Sequence, residues 1–216
     1  MSRTALLLAG LLLTAAQALP AQENPMTFFL TSAGPGDGAN LGGLEGADAH
    51  CQRLAEAAGA GHLEWHAYLS AIDDGGESAV HARERIGNGP WYNAEGVMVA
   101  MDVDDLHGGD NNLNKQTALT EQGAVVNGRG DSPNMHDILT GSNLDGTAFM
   151  AEGYDNCENW TSSDADGSAR VGHHDRTGGG QNPTSWNSAH NSRGCGQEDL
   201  QGTGGNGLFY CFAIRG

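Results

Sequence analysis

Apolar residues recur over residues 44–58 with the spacing of an amphipathic helix. The residues that share this face are Leu44, Ala47, Cys51, Leu54, Ala55 and Ala58. Glu45 and Asp48 suit the positive N-terminal end of a helix, and Gly59 suits its C-terminal end. The pattern therefore predicts a helix here, with Cys51 on its buried face.

Four other segments predict strands. Residues 26–31 form a short run of aromatic and β-branched side chains that ends in a turn-rich segment. Residues 65–69 alternate with the period of two that is typical of a strand. Residues 91–101 predict a hairpin or a bent strand around Glu95 and Gly96. Residues 208–214 are an apolar run without interruption, which indicates a central strand.

The remaining segments carry weaker patterns. Residues 78–86 predict a short helix, residues 102–114 one helical turn followed by a loop, and residues 124–126 a short strand. Residues 140–206, which we call the loop region, consist mostly of Gly, Asn, Asp, Ser and Thr. So long a loop in a compact domain normally has a covalent tether or a function.

The first 21 residues predict a secretory signal peptide. Arg3 supplies the positive charge, residues 5–16 form an apolar segment too short to span a bilayer, and small residues place cleavage after Ala18 or Ala21. No later segment is long and apolar enough to cross a membrane. The sequence thus predicts a secreted or periplasmic protein in which residues 22–216 form one domain, expected to be a monomer.

The charge balance excludes polyanionic partners. The chain has 10 Lys and Arg against 27 Asp and Glu, and a formal net charge of −17. Such a surface repels nucleic acid and anionic lipid but tolerates metal ions. Glycine makes up 34 of 216 residues, about twice the usual share, which indicates a loop-rich protein that relies on disulfides.

Four cysteines allow three disulfide pairings. The nested pairing Cys51–Cys211 and Cys157–Cys195 is physically reasonable, because the first two lie in apolar elements and the last two lie in the loop region. The alternative use of cysteine is a metal site, but the C-x-x-C spacing common in such sites does not occur.

The helix and the strand after it resemble the opening of the endostatin domain of collagens. The matching segments are GGLEGADAHCQRLAEAAGAGHLEWHAYLS at 42–70, GSNLDG at 141–146, CENWT at 157–161 and YCF at 210–212. The resemblance implies a C-type-lectin-like α+β fold, with two small antiparallel sheets, two helices and a long loop region. It also implies the nested disulfide pairing and, given the signal peptide and glycine-rich loops, a bacterial exported version of the domain.

The chain departs from that family where the family's ligands bind. It lacks the arginine-rich face that binds heparan sulfate and the N-terminal histidines that hold zinc. Trp186-Asn187-Ser188 is similar to the W-N-D triplet of C-type lectin sugar sites, but the third position has no carboxylate. Loop candidates for ligand binding are Trp186 and Asn187, with Asn143 and Asp145 from the G-S-x-x-x-G-like turn.

Two clusters could hold metal ions. His173, His174 and Asp175, with His190, offer the imidazole and carboxylate ligands that zinc uses. The acidic stretch 102–111 offers hard oxygen ligands suited to calcium, without EF-hand spacing. The alternative interpretation of the first cluster is a polar surface loop with incidental histidines. The alternative interpretation of the second is a solvated acidic turn.

Arg129-Gly130-Asp131-Ser132-Pro133 has the sequence of an integrin-type adhesion motif. In a chain rich in glycine and aspartate, a chance occurrence is the alternative explanation. Trp91, Tyr154, Trp160 and Trp186 are candidates for stacking on a ligand ring, although Trp160, beside Cys157, suits a core position.

These patterns predict an exported, non-enzymatic binding module that recognises a carbohydrate or an extracellular protein through the loop region. The rival hypothesis is a metal-dependent enzyme that uses His173, His174, Asp175 and His190. The sequence contains neither G-x-S-x-G nor H-E-x-x-H, so no common catalytic motif supports the rival. Zinc and calcium are the possible ions, and no organic cofactor is predicted.

Overall fold

The computed structural model describes residues 24–72, 78–151 and 156–214. These residues form an α+β structure with one six-stranded sheet and two two-stranded sheets. The predicted signal peptide, both cleavage points and Tyr154 lie outside the described residues. None of the described helices combines the length and the apolar character that a bilayer crossing demands.

The described part of the chain contains ten strands and five helical segments. The strands are β1 Phe28–Leu30, β2 Glu64–Ala67, β3 Ala71–Ile72, β4 Ala79–Val80, β5 Trp91–Tyr92, β6 Met98–Ala100, β7 Asp137–Leu139, β8 Arg170–His173, β9 His190–Asn191 and β10 Gly205–Ile214. The helical segments are α1 Gly43–Ala57, α2 Ala82–Arg85, α3 Val103–His107, α4 Asn156–Trp160 and α5 Gln197–Thr203.

Strand β10 organises the main sheet. It pairs antiparallel with β1 and β2 and parallel with β7, and the sheet continues from β7 through β8 to β9. The sequence prediction of a central strand at residues 208–214 is therefore confirmed. The parallel pair differs from the all-antiparallel sheets that the resemblance implied. A parallel pair needs a long crossover, and the residues between β7 and β10 supply it.

Both faces of β10 are buried, which explains its unbroken apolar sequence. Phe209, Cys211 and Ala213 belong to one hydrophobic cluster, on the side of α1. Leu208, Tyr210 and Phe212 belong to a second cluster on the opposite side. The alternation follows from the period of two in a strand.

The two predicted disulfides are present. Cys51 on α1 is bonded to Cys211 on β10, and Cys157 is bonded to Cys195. The first bond attaches the predicted helix to the central strand, and the second closes the loop region. The described residues contain no free cysteine.

Segment α4 is a left-handed turn. All five of its residues have positive φ, from 51° at Asn156 to 70° at Trp160. Left-handed backbone costs about 1–2 kcal/mol per non-glycine residue, so neighbouring contacts must hold it. The Trp160 indole N–H donates to the Ser70 carbonyl at 2.8 Å, Asn159 accepts from the Ile72 N–H, and the Cys157–Cys195 bond fixes the centre of the turn.

Several sequence expectations were wrong. Residues 78–86 form β4 and the four-residue α2 rather than one helix, and residues 124–126 contribute only an isolated bridge at Val125. Five helical segments occur where the resemblance implied two. The loop region contains β8, β9, α4 and α5. The strands of the loop region were not predicted because they are short and polar. Hydrogen bonds, rather than an apolar pattern, hold them in the sheet.

The hairpin predicted at residues 91–101 is confirmed as β5 and β6.

Candidate metal centre

Strands β7, β8 and β9 bring three chemically active side chains to one place. Asp137 at the start of β7 lies opposite His173 at the end of β8, and His190 in β9 lies opposite Val171. Val171 and His173 share a face of β8 because they are two residues apart. Asp137, His173 and His190 therefore lie on the same side of the sheet. His136 immediately precedes β7 and joins them.

Three imidazoles converge on one carboxylate oxygen. The Nε2 atoms of His136, His173 and His190 lie 3.2, 3.3 and 3.4 Å from Oδ1 of Asp137. We call these four residues the His–Asp centre. His136, Asp137 and His173 are 5%, 3% and 0% exposed, and the side chain of His190 is 22% exposed. The centre is therefore buried, with His190 on its open side.

The other nitrogen of each ring already has an acceptor. Nδ1 of His136 contacts the Asp175 carboxylate at 3.2 Å, that of His173 the Pro183 carbonyl at 2.8 Å, and that of His190 the Asn191 carbonyl at 3.0 Å. Carboxylates and carbonyls only accept hydrogen bonds, so each Nδ1 carries the proton. A neutral ring then directs the Nε2 lone pair towards Asp137.

This arrangement leaves buried polar atoms without partners. Among the described residues, both carboxylate oxygens of Asp137 and Nε2 of His173 have no aligned hydrogen bond. The rings of His136 and His173 also stack nearly parallel, with centroids 4.2 Å apart, so two protonated rings would repel each other. Lone pairs and a carboxylate that face one another in a dry site require a cation between them.

The pKa shifts of Asp137 and His190 agree with the need for a cation in the centre. Burial acts to raise the pKa of Asp137, but the imidazoles of His173 and His190 outweigh it and hold that pKa below its usual value. The Asp137 carboxylate in turn raises the pKa of His190. Without a metal ion, a proton on His190 is the cation that the centre can recruit.

The distances from Asp137 Oδ1 to the three imidazoles match the spacing of neighbouring ligands around a tetrahedral ion. Zinc binds imidazole nitrogen and carboxylate oxygen at about 2.0–2.2 Å, which sets neighbouring ligand atoms about 3.3 Å apart in a tetrahedron. The three separations from Asp137 Oδ1 span 3.2–3.4 Å. Three imidazoles and one carboxylate favour zinc or a similar transition ion over calcium, which prefers oxygen ligands.

Glycines allow the chain to pack closely around the rings. A Cβ on Gly178 would lie 2.6 Å from Cε1 of His173, and one on Gly180 would lie 2.9 Å from Cβ of His190. Gly178 also has a φ of +141°, which other residues rarely adopt. Gly178 and Gly180 therefore bring the backbone into close contact with His173 and His190.

Asp175 forms a second layer behind His136. Its Oδ1 accepts from His136 Nδ1–H and from the Thr177 N–H at 3.1 Å, and its Oδ2 accepts from the Arg129 N–H at 2.6 Å. Burial opposes ionisation, but these donors hold the pKa of Asp175 well below its usual value. A carboxylate behind a metal-binding imidazole fixes its orientation and increases its basicity.

The predicted zinc ligands are thus only partly brought together. His173 and His190 belong to the centre, and Asp175 supports it from behind. His174 lies elsewhere, with Nε2 3.2 Å from the Asn127 carbonyl. The sequence analysis missed His136 and Asp137. The available signal was a His-Asp pair directly before the apolar Ile138-Leu139, which marks chemically active residues at the start of a strand.

Two of the four predicted ligand-binding residues are buried, and one of these joins a hydrogen-bond network. Trp186 and Asn187 are buried, and Asn187 Nδ2 donates to the Tyr68 hydroxyl and to the Asn143 and Leu144 carbonyls. Asp145 is exposed, and its carboxylate accepts from the Thr147 N–H and hydroxyl. Trp186 and Asn187 also line part of an open cleft of about 440 Å³.

Two other predicted stacking aromatics, Trp91 and Trp160, are in the core. Trp91 and Trp160 are fully buried, so neither presents a ring face to solvent.

The acidic stretch 102–111 has structural contacts. Asp102 caps α3 by accepting from the Asp105 N–H, and Asp105 accepts from the Met101 N–H. The side chain of Asn111 donates to the Leu106 carbonyl. Within the described ranges, the one group of His, Cys, Asp and Glu with ligand atoms close enough to share an ion is His136, Asp137 and His173.

No family model matches the chain, and no curated protein matches it either.

Proposed function

We propose that this protein is an exported, non-enzymatic binding module whose loop region is stabilised by a divalent transition-metal ion, best matched by zinc, in the His–Asp centre. The observation that carries the proposal is the convergence of three imidazole Nε2 atoms on Oδ1 of Asp137 while each Nδ1 donates outward. The proposed ligands are His136, Asp137 and His173, and His190, with Nε2 3.4 Å from Asp137 Oδ1, is the candidate for a fourth on the open side.

The burial of the site favours a structural role for the ion over the rival catalytic role. Structural zinc sites have four protein ligands, whereas catalytic sites leave one position for water or substrate. The three residues whose ligand atoms lie close enough to share an ion, His136, Asp137 and His173, are almost completely buried, and His190 lies on the open side of the site. An ion held by these three residues would link β7 to β8, and His190 occupies the side from which water or substrate would approach it.

The export and fold proposals rest on the disulfides. Two disulfides in a chain of this size are typical of an oxidising compartment. Their nested pairing agrees with the endostatin-like, C-type-lectin-like resemblance, which we retain as a proposal. The ligand would be a carbohydrate or an extracellular protein, and the open cleft beside Leu144, Trp186 and Asn187 is a loop-region surface that could receive it.

Elemental analysis of purified protein tests the metal proposal. After dialysis against zinc and then against buffer, wild-type protein should retain one zinc per chain, and His173→Ala should retain none. His62→Ala is the matched control, because His62 is exposed and outside the centre, and it should bind like wild type. Wild-type protein without zinc, or with zinc that His173→Ala also retains, would refute the proposal.

A second experiment separates the binding module from the enzyme. Zinc-loaded protein would be applied to a glycan and extracellular-matrix array, and assayed in parallel against ester, peptide and phosphoester substrates. The proposal expects retention on the array and no zinc-dependent turnover. Turnover that disappears in His173→Ala would instead favour the enzyme.

A further inference from the structure

An exposed loop is attached directly to the His–Asp centre. We call residues 127–133 the 127–133 loop; its tip, residues 129–133, is exposed to solvent. Asp175 joins the loop to the centre, because one oxygen accepts from His136 Nδ1–H and the other accepts from the backbone N–H of Arg129 at 2.6 Å. A single carboxylate therefore contacts a proposed metal ligand and the loop backbone at once.

A second connection runs through His174. Its ring Nε2–H donates to the Asn127 carbonyl at 3.2 Å, and its backbone N–H donates to the His136 carbonyl at 3.2 Å. Gly128 is packed against Asp175 so closely that a Cβ would lie 2.6 Å from the carboxylate. The loop thus meets the second layer of the centre at three successive residues, 127 to 129.

The tip of the loop is folded back on itself. Oδ2 of Asp131 accepts from the Gly128 N–H at 2.7 Å and from Lys115 Nζ at 2.5 Å. One oxygen of this carboxylate is therefore engaged within the protein, while the side chain stays 37% exposed. Arg129 is the positively charged side chain of the exposed tip.

We propose that the metal ion in the His–Asp centre fixes the conformation of the 127–133 loop. The inference rests on the proposed function. An ion bound to Nε2 of His136 holds the ring so that Nδ1–H points at Asp175, and Asp175 then holds the Arg129 N–H. By thermodynamic reciprocity, anything that loosens the loop at this contact also weakens ion binding.

Hydrogen exchange measured by mass spectrometry tests the coupling. Peptides that cover residues 124–134 would be compared in zinc and in EDTA. The amides of Gly128, Arg129 and Asp131 should exchange about tenfold more slowly with zinc, because exchange follows the population of the open loop. The hairpin turn 93–97, which has no bond to the loop or to the centre among the described residues, serves as the internal reference and should not change.

Two variants at one position isolate the hydrogen bond. Arg129→Pro removes the N–H that Asp175 accepts, whereas Arg129→Ala removes the same charged side chain but keeps the N–H. Arg129→Pro should lose the zinc-dependent protection and bind zinc several-fold more weakly, and Arg129→Ala should retain both. Asp175→Asn is an independent variant that avoids a backbone change. It should bind zinc about tenfold to a hundredfold more weakly and show faster loop exchange.

The outcomes separate the two proposals. If one zinc binds per chain but loop exchange is the same in zinc and in EDTA, the coupling is wrong and the metal centre stands. If Arg129→Pro and Arg129→Ala behave alike, the Asp175 contact does not carry the coupling. If no zinc binds, both proposals are overturned.

Discussion

Two regions of the molecule bury imidazoles among polar groups, and they do so in opposite ways. In the first, His107 donates through Nδ1–H to the Val103 carbonyl at 2.7 Å and accepts at Nε2 from the Tyr68 hydroxyl at 2.8 Å. Asn187 then donates to the Tyr68 oxygen at 3.0 Å. We call these residues the Tyr68 network. In the second, the His–Asp centre, every ring donates outward and directs its other nitrogen inward.

The difference lies in the balance of donors and acceptors. In the Tyr68 network each inward acceptor meets a donor, so neutral groups satisfy one another and no ion is needed. In the His–Asp centre three lone pairs and a carboxylate meet when the rings are neutral, and only a metal ion or a proton on one of the rings can balance them. A buried surplus of acceptors is costly unless a cation occupies the site. Burial alone therefore does not identify a metal site; the direction of the hydrogen bonds does.

The largest expected effect is the response of stability to zinc. At free zinc a thousandfold above its dissociation constant, the ion should add about 4 kcal/mol to the free energy of unfolding. His173→Ala should lose this increment, and the exposed control His62→Ala should keep it. Urea unfolding with intact disulfides, in zinc and in EDTA, measures both. An increment that survives in His173→Ala would place the ion elsewhere.

The next effect concerns the glycines that pack against the centre. Gly178→Ala places a Cβ 2.6 Å from a buried ring of the centre and should cost about 1–3 kcal/mol, with weaker zinc binding. Gly179→Ala is the matched control, because nothing lies within 4 Å of its Cβ, and it should change stability by less than about 0.5 kcal/mol. Competition titration of zinc and urea unfolding measure the pair. Equal effects in the two variants would mean that the packing at Gly178 is unimportant.

The framework of the fold could be predicted because apolar pattern specifies it. Helix α1 and strand β10 each carry a strong periodic or continuous apolar signal, and Cys51 and Cys211 lie within these apolar elements, which made their pairing physically reasonable. Strands β8 and β9 carry no such signal. Arg170–His173 is buried at every position although half of its residues are polar, because its partners in the sheet and its side-chain bonds, rather than an apolar face, hold it.

The candidate site was predictable only in part, because it is formed by residues that are distant in sequence and meet only in the folded sheet. His173 and His190 stood out as histidines in a loop-rich segment, but Asp137 completes the centre from a strand that lies far away in sequence. Such convergence is a property of the sheet register, which one sequence does not reveal. Trp186 and Asn187 show the converse. Their types suited a ligand site, but both are buried: Asn187 belongs to the Tyr68 network, and the Trp186 ring packs against the Tyr68 ring.

A smaller effect is expected in the Tyr68 network, and it should not depend on the ion. Tyr68→Phe removes the donor to His107 Nε2 and one acceptor of Asn187, which should cost about 1–2 kcal/mol. The loss should be the same in zinc and in EDTA, because neutral partners satisfy this region without a cation. Urea unfolding in both buffers provides the measurement. A loss that appears only with zinc would show that the two regions are coupled.

The smallest effect is the pH dependence that His107 contributes. Burial, assisted by the charge of Arg83, lowers the pKa of His107 below its usual 6.5. Above pH 6.5 both folded and unfolded states are neutral at this position, so it adds no slope. Below pH 6.5 the unfolded state takes up the proton first, and the free energy of unfolding falls until the folded ring also protonates.

In EDTA, His107→Gln should therefore show a shallower loss of stability between pH 6.5 and 5. The difference in slope should correspond to the uptake of at most one proton on unfolding. Some slope should remain because burial also lowers the pKa of His50. Identical slopes in wild type and variant would mean that the network accommodates a charged ring, and the contrast with the His–Asp centre would then rest on geometry alone.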